Sequence, residues 1–184
     1  MNFEIFPKPE VTPTGFIASG FHGLFAQFLA HVQPEKIEAR VAKLREADVR
    51  PPVRMAQEVA EAPEAEAFKG AAEWSIQVPM MTSPAVQKLF LKITYLGDIA
   101  RVYADGKLVT DDFYKGTPLQ IALGQSPVAG ADPALTLQIL PLRKDTPIYM
   151  PPSVHISFPP SGQTAELKQV EVLPEYQAVA HIGN

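Results

Sequence analysis

The chain has 184 residues, 46% of them hydrophobic and 20% charged, with a net charge of −4. That is enough length and apolar content to bury one domain-sized core, and the mildly acidic balance gives no basic footprint for nucleic acid or for an anionic membrane. There is no cysteine, which excludes disulfides, zinc–thiolate sites and thiol nucleophiles.

Nineteen prolines are spread along the whole chain, about twice the usual share of roughly 5%. Proline interrupts helices and central strands. The distribution therefore admits only short elements joined by many turns, which is the anatomy of an all-β sandwich or barrel.

Phe3 and Ile5 predict a short strand ending at Pro7. The most apolar stretch, Gly15–Val32, contains His22, Gln27 and His31 and falls short of a clean transmembrane run. Glu4 and Glu10 precede it, unlike the basic start of a signal peptide. It reads as a buried strand pair or short helix, and periodicity does not choose between strand and helix over Leu24–Val32. Residues 37–49 alternate Ile37, Ala39 and Val41 with Glu38, Arg40 and Ala42, which favours a strand stopped by Arg50-Pro51-Pro52. The Ala/Glu-rich run 55–72, split by Pro63, predicts a loop followed by a helical turn near Glu64–Phe68.

From Trp74 the alternation is clear. Trp74, Ile76 and Val78 form one apolar set, and Leu89, Leu91, Ile93 and Tyr95 form a second that ends at Gly97-Asp98. Ile99–Ala104 and Lys107–Thr110 flank Asp105-Gly106, a strong hairpin signal because both turn positions need positive φ. Further strands are expected at Leu119–Leu123, Leu135–Leu140 and Leu167–Leu173, the last with Leu167, Gln169, Glu171 and Leu173 on one face and Lys168, Val170 and Val172 on the other. The expected fold is all-β, a sandwich or jelly roll with minor helical turns. Residues 1–55 are read as strands packing on or extending a sandwich over 56–184, or the whole chain as one domain.

No Gly-rich phosphate loop, His-Glu-x-x-His or Gly-x-Ser-x-Gly motif occurs. His22, His31, His155 and His181 lack metal-ligand spacing, so neither a metal site nor a cofactor is expected. Glycoside hydrolysis needs two facing carboxylates. Asp98, Asp105, Asp111 and Asp112 cluster in the clearest strand region, but all four read as turn or loop aspartates that bond local backbone. A sugar-binding site combines an aromatic platform with planar polar groups. Arg101, Tyr103, Asp111, Asp112 and Tyr114 supply those types within one stretch. The plain alternative is that Tyr103 is a core residue and Tyr114 packs a loop.

The segment Lys88–Gly116, KLFLKITYLGDIARVYADGKLVTDDFYKG, carries the pattern Gly97-Asp98-x-Ala100-x-Val102-Tyr103-x-x-Gly106. It is followed by Asp111-x-Phe113-Tyr114-x-Gly116 and preceded by Ala71-Ala72-x-Trp74-x-Ile76. With Leu135–Met150, this resembles the jelly-roll, galactose-binding-like domains that follow the catalytic barrel in β-galactosidases of glycoside hydrolase family 35. The likeness covers residues 60–150. A barrel needs about 200–250 residues, so the family's catalytic residues have no positions here. The resemblance thus implies a module that is not an enzyme by itself, with a carbohydrate ligand or a parent barrel as partner and a secreted or periplasmic parent. A protein-interaction domain, through Phe16–Val32, and a small stand-alone carbohydrate-active hydrolase or lyase are the alternatives.

Overall fold

The structure, a computed structural model, describes residues 1–31, 34–79, 85–123, 134–152 and 154–179. His181 lies outside them. Strands β1 (Asn2–Ile5), β2 (Phe16–His22) and β3 (Phe25–Ala30) form an antiparallel sheet in the order β1-β3-β2. The ambiguous stretch resolves as strand because Ala26, Phe28 and Ala30 then share one face with Phe16, whereas a helix would spread them around its axis. The expectation of a buried pair is corrected: β2 is exposed beyond Phe16.

Strand β4 (Arg40–Arg45) follows, ending ahead of Arg50-Pro51-Pro52. The loop expected after it contains a two-stranded ribbon, β5 (Met55–Ala56) and β6 (Val59–Ala60). Its turn places Gln57 at φ 47 and Glu58 at φ 72. A two-residue hairpin needs these left-handed values, and without Asn-Gly there the composition does not announce the ribbon. A 3-10 turn over Ala65–Gly70 buries Phe68, close to the predicted helical turn.

The remaining strands are β7 (Ala72–Gln77), β8 (Val86–Leu96), β9 (Ile99–Ala104), β10 (Lys107–Phe113), β11 (Leu119–Ala122), β12 (Ala134–Leu140), β13 (Leu142–Arg143), β14 (Gln163–Thr164) and β15 (Glu166–Tyr176). They build a five-stranded sheet, β10-β9-β12-β7-β4, and a three-stranded sheet, β11-β8-β15, with β13 paired to β14. The two larger sheets are antiparallel throughout. They share one core: Trp74, Ile76, Val102, Leu137 and Ile139 from one sheet meet Leu91, Ile93, Ile121 and Val172 from the other. The protein is thus nearly all-β, with a β-sandwich at its centre. Among the described residues no helix is long and apolar enough to cross a membrane.

The β9–β10 turn has Asp105 at φ 49 and Gly106 at φ 73, as the Asp-Gly pair predicts. Beyond it the reading is corrected twice. Asp111 and Asp112 are strand residues, because β10 continues to Phe113 past a bulge at Val109. In β15 a bulge at Lys168 changes the alternation. Leu167 therefore packs with Val170 and Val172 against the core, and Leu173 faces out. An extra residue in a strand inverts every face assignment on one side of it, and period-2 counting cannot see it.

Candidate functional site

The five-stranded sheet has one face on the core and one turned outward. Ala100, Val102 and Ala104 of β9 point inward, so Arg101 and Tyr103 point out. Register then sets their neighbours. Asp111 lies opposite Arg101 on one side and Gln138 on the other; Gln138 lies opposite Glu73, and Glu73 opposite Arg45. This makes one transverse polar row, Asp111–Arg101–Gln138–Glu73–Arg45, across all five strands. At the usual strand spacing it is roughly 19 Å long. The adjacent row runs Leu108–Tyr103–Thr136–Ser75–Ala42.

The row is held from one end. Gln138 Nε2 donates to Glu73 Oε2 at 2.9 Å, and Arg45 Nη2 donates to the same oxygen at 3.2 Å. Arg45 Nε also donates to the Ala71 carbonyl at 3.1 Å. Arg101 lays its guanidinium on the Phe68 ring, 3.7 Å from the centroid, a cation–π stack that keeps it flat against the sheet. Phe68 is itself packed with Ala71, Ile99 and Leu140 in a small second core. Arg101 Nε is buried with no hydrogen-bond partner among the described residues. Asp111 is exposed beside it. The surface is polar and bordered by the Phe68 turn, with one phenol, one stacked guanidinium and an amide and a carboxylate bonded to each other.

The sequence grouped five residues; the structure brings three together and removes two. Asp112 sits opposite Ala100 and so faces the core side. It accepts a hydrogen bond from Tyr95 OH at 3.0 Å on Oδ2, and one from Lys115 Nζ at 2.6 Å on Oδ1. Tyr114 packs edge-on to Tyr95, with centroids 5.5 Å apart. Burial, and after it the Asp112 charge and hydrogen bond, push the Tyr95 phenol well above its ordinary value. Asp112 and Tyr114 therefore close the sandwich edge around Tyr95 and do not join the outer face. Tyr103, read alternatively as a core residue, lies on that face.

Asp98 sits in the turn between β8 and β9, as expected, but its carboxylate does not bond the turn backbone alone. It is a buried carboxylate paired with the buried Arg50 guanidinium, whose Nη1 also donates to the Pro141 carbonyl at 2.7 Å. Its neighbour Gly97 has a separate reason to be glycine, since a Cβ there would collide with the Ile139 side chain. Ala100 and Val102 are fully buried. Most of the Gly97–Gly106 pattern is therefore spent on packing and turns.

Sequence reasoning missed Glu73, Gln138, Arg45 and Phe68. Thr136 and Gln138 alternate with Leu135, Leu137 and Ile139, so the outward positions of β12 were readable. Their alignment with Arg101 was not, because register between distant strands is a tertiary property. Among the described residues no group of three or more His, Asp or Glu gathers at metal-binding range. No family model, curated protein or solved structure matches the chain.

Proposed function

We propose that the chain is a non-catalytic accessory module of a β-galactosidase-like glycoside hydrolase, a galactose-binding-like jelly roll that meets carbohydrate on the outer face of its five-stranded sheet. The supporting observation is the polar row. It places Arg101 and Asp111 beside Gln138 and Glu73, with Tyr103 and Thr136 alongside, on a partly exposed surface. Planar amides, carboxylates and a guanidinium can each bond a pair of sugar hydroxyls. Arg101, Glu73 and Gln138 are already oriented through Phe68 and Arg45, so these three lose little side-chain entropy on binding.

Isothermal titration against galactosides and plant polysaccharides tests this. Arg101→Ala and Tyr103→Ala are expected to abolish the binding heat, while Tyr114→Phe leaves affinity unchanged. Absence of heat for every ligand, or affinity indifferent to Arg101 and Tyr103, would sink it.

A second reading, a protein-interaction module, is favoured by the three-stranded sheet at residues 2–30. Phe6, Ile17, Phe21 and Leu24 are 60%, 64%, 62% and 75% exposed. Apolar side chains concentrated in so small a unit mark a surface that a partner domain covers. Size-exclusion chromatography with light scattering tests it: a concentration-independent monomer without retardation on the column would count against an exposed apolar face.

A further inference from the structure

Between β4 and the 3-10 turn the chain makes two passes, Asp48–Arg54 outward and Glu61–Gly70 back, and they enclose a cleft of about 480 Å³ over Leu140 and Pro141. That volume lies within the usual range for ligand sites. One wall is anchored deep in the fold. Besides the Arg50–Asp98 pair, Arg50 N donates to Gln163 Oε1 at 2.9 Å and Arg143 Nη1 donates to the Arg50 carbonyl at 2.7 Å. Glu61 N donates to the Arg54 carbonyl at 2.9 Å, tying the two passes together at the root of the β5–β6 ribbon. Val49, Pro51, Pro52 and Pro63 give the walls an apolar surface with restricted backbone. The Arg50 side of the cleft is thereby fixed to the sandwich.

The charges around it are unbalanced. Arg50 is taken by Asp98, and Glu66 by Lys69 at 2.7 Å. Asp48, Glu61 and Glu64 are exposed, and among the described residues none has an ionic partner; Arg54 is the only free cation of the lining. A complementary guest has an aliphatic stem for the proline walls and a positive end for the rim, as a basic side chain does. The two-stranded β5–β6 ribbon continues directly from Arg54 and returns at Glu61, both of which line the cleft, so an outer edge with unpaired backbone groups begins where the cleft ends. Such an edge pairs with an extended peptide and not with a compact small molecule.

We propose that this cleft docks an arginine-bearing extended segment of a partner protein, the guanidinium reaching Glu61 and Glu64 and the peptide backbone running along the ribbon. The sugar face of the five-stranded sheet plays no part in it.

The test is nitrogen–proton NMR titration of the full chain with the blocked peptide acetyl-Leu-Arg-Leu-Arg-amide, its citrulline counterpart, and spermidine. The arginine peptide is expected to give saturable shifts confined to the amides of Val49, Val53, Glu61 and Glu64 and to the ribbon. Loss of both positive charges is expected to weaken binding about tenfold, and Glu61→Gln with Glu64→Gln by roughly fivefold, taking about two- to fivefold per exposed ion pair. These glutamates are exposed, so an otherwise unchanged amide spectrum verifies folding. Arg101→Ala is expected to leave the titration unaltered, which separates this proposal from the sugar-binding one. Shifts that are absent or scattered, equal binding of the citrulline peptide, indifference to the double substitution, or spermidine binding as tightly as the peptide would each overturn it.

Discussion

The sandwich and the three-stranded sheet at residues 2–30 are built from similar alternating strands, yet they end in different states of burial. Inside the sandwich Ile76, Leu91, Ile93, Leu137 and Ile139 are removed from water. The smaller sheet buries only Phe16, Ala26, Phe28 and Ala30, with Phe3, Ile5 and Ala178 packed against them, and leaves Phe25 and Leu29 exposed on its other face. The difference is the second layer. A sheet buries a face only when something covers it, and the five-stranded sheet has the β11-β8-β15 sheet as its cover. Alternation therefore predicts which residues could be inside, while layering decides which are.

The largest expected effect comes from the sandwich's buried charges. Asp98→Ala leaves Arg50 buried without its counter-ion and is expected to cost about 3–5 kcal/mol, read as a lower urea midpoint at unchanged slope. Replacing both partners by apolar residues, Arg50→Met with Asp98→Leu, is expected to cost much less than the single change.

Next is the contrast between the two cores. Leu137→Ala is expected to destabilise the cooperative unfolding of the whole sandwich by about 2–5 kcal/mol. Phe28→Ala removes a comparable side chain from the smaller sheet. There it is expected to speed hydrogen exchange across residues 2–30 while the midpoint of the sandwich stays put. Equal shifts of the sandwich midpoint for both variants would show that the two regions unfold as one unit.

Tyr95 gives a smaller effect with a pH signature. Tyr95→Phe removes the hydrogen bonds to Asp112 and is expected to cost about 1–2 kcal/mol. In the folded chain the phenol holds its proton above the ordinary value of 10.0. The contribution is therefore complete below that pH and declines as pH rises beyond it, where the unfolded chain ionises first. The stability difference between wild type and Tyr95→Phe should shrink in alkaline solution; a difference constant to high pH would refute the raised phenol.

The smallest effect is on the exposed sheet face. Ile17→Ser with Phe25→Ser is expected to change stability by under about 0.5 kcal/mol per site while reducing any self-association seen by light scattering. A larger loss would mean that this face is covered in solution.

Much of the strand inventory was legible, because Trp74–Val78, Leu89–Tyr95 and Leu135–Leu140 alternate cleanly and proline or glycine marks their ends. The β5–β6 ribbon was not, since Gln57 and Glu58 are not the residues that usually advertise its turn. The site was half legible. Arg101, Tyr103 and Asp111 share a face, but the bulge at Val109 and the continuation of β10 put Asp112 on the opposite side. The turn position of Asp98 was legible, but its partner was not, because sequence cannot show that Arg50, far away in the chain, arrives to pair with it.

Composition and periodicity by themselves determined an all-β chain of short strands, the Asp105-Gly106 hairpin and most of the apolar core set, because these depend on local φ/ψ preference and on the two-residue repeat of a strand. The tertiary structure alone decided the polar row across five strands, the Arg50–Asp98 pair, the face of Asp112 and which sheet is covered. Each depends on register, bulges or layer contact between segments distant in the chain, and no local preference encodes where such segments meet.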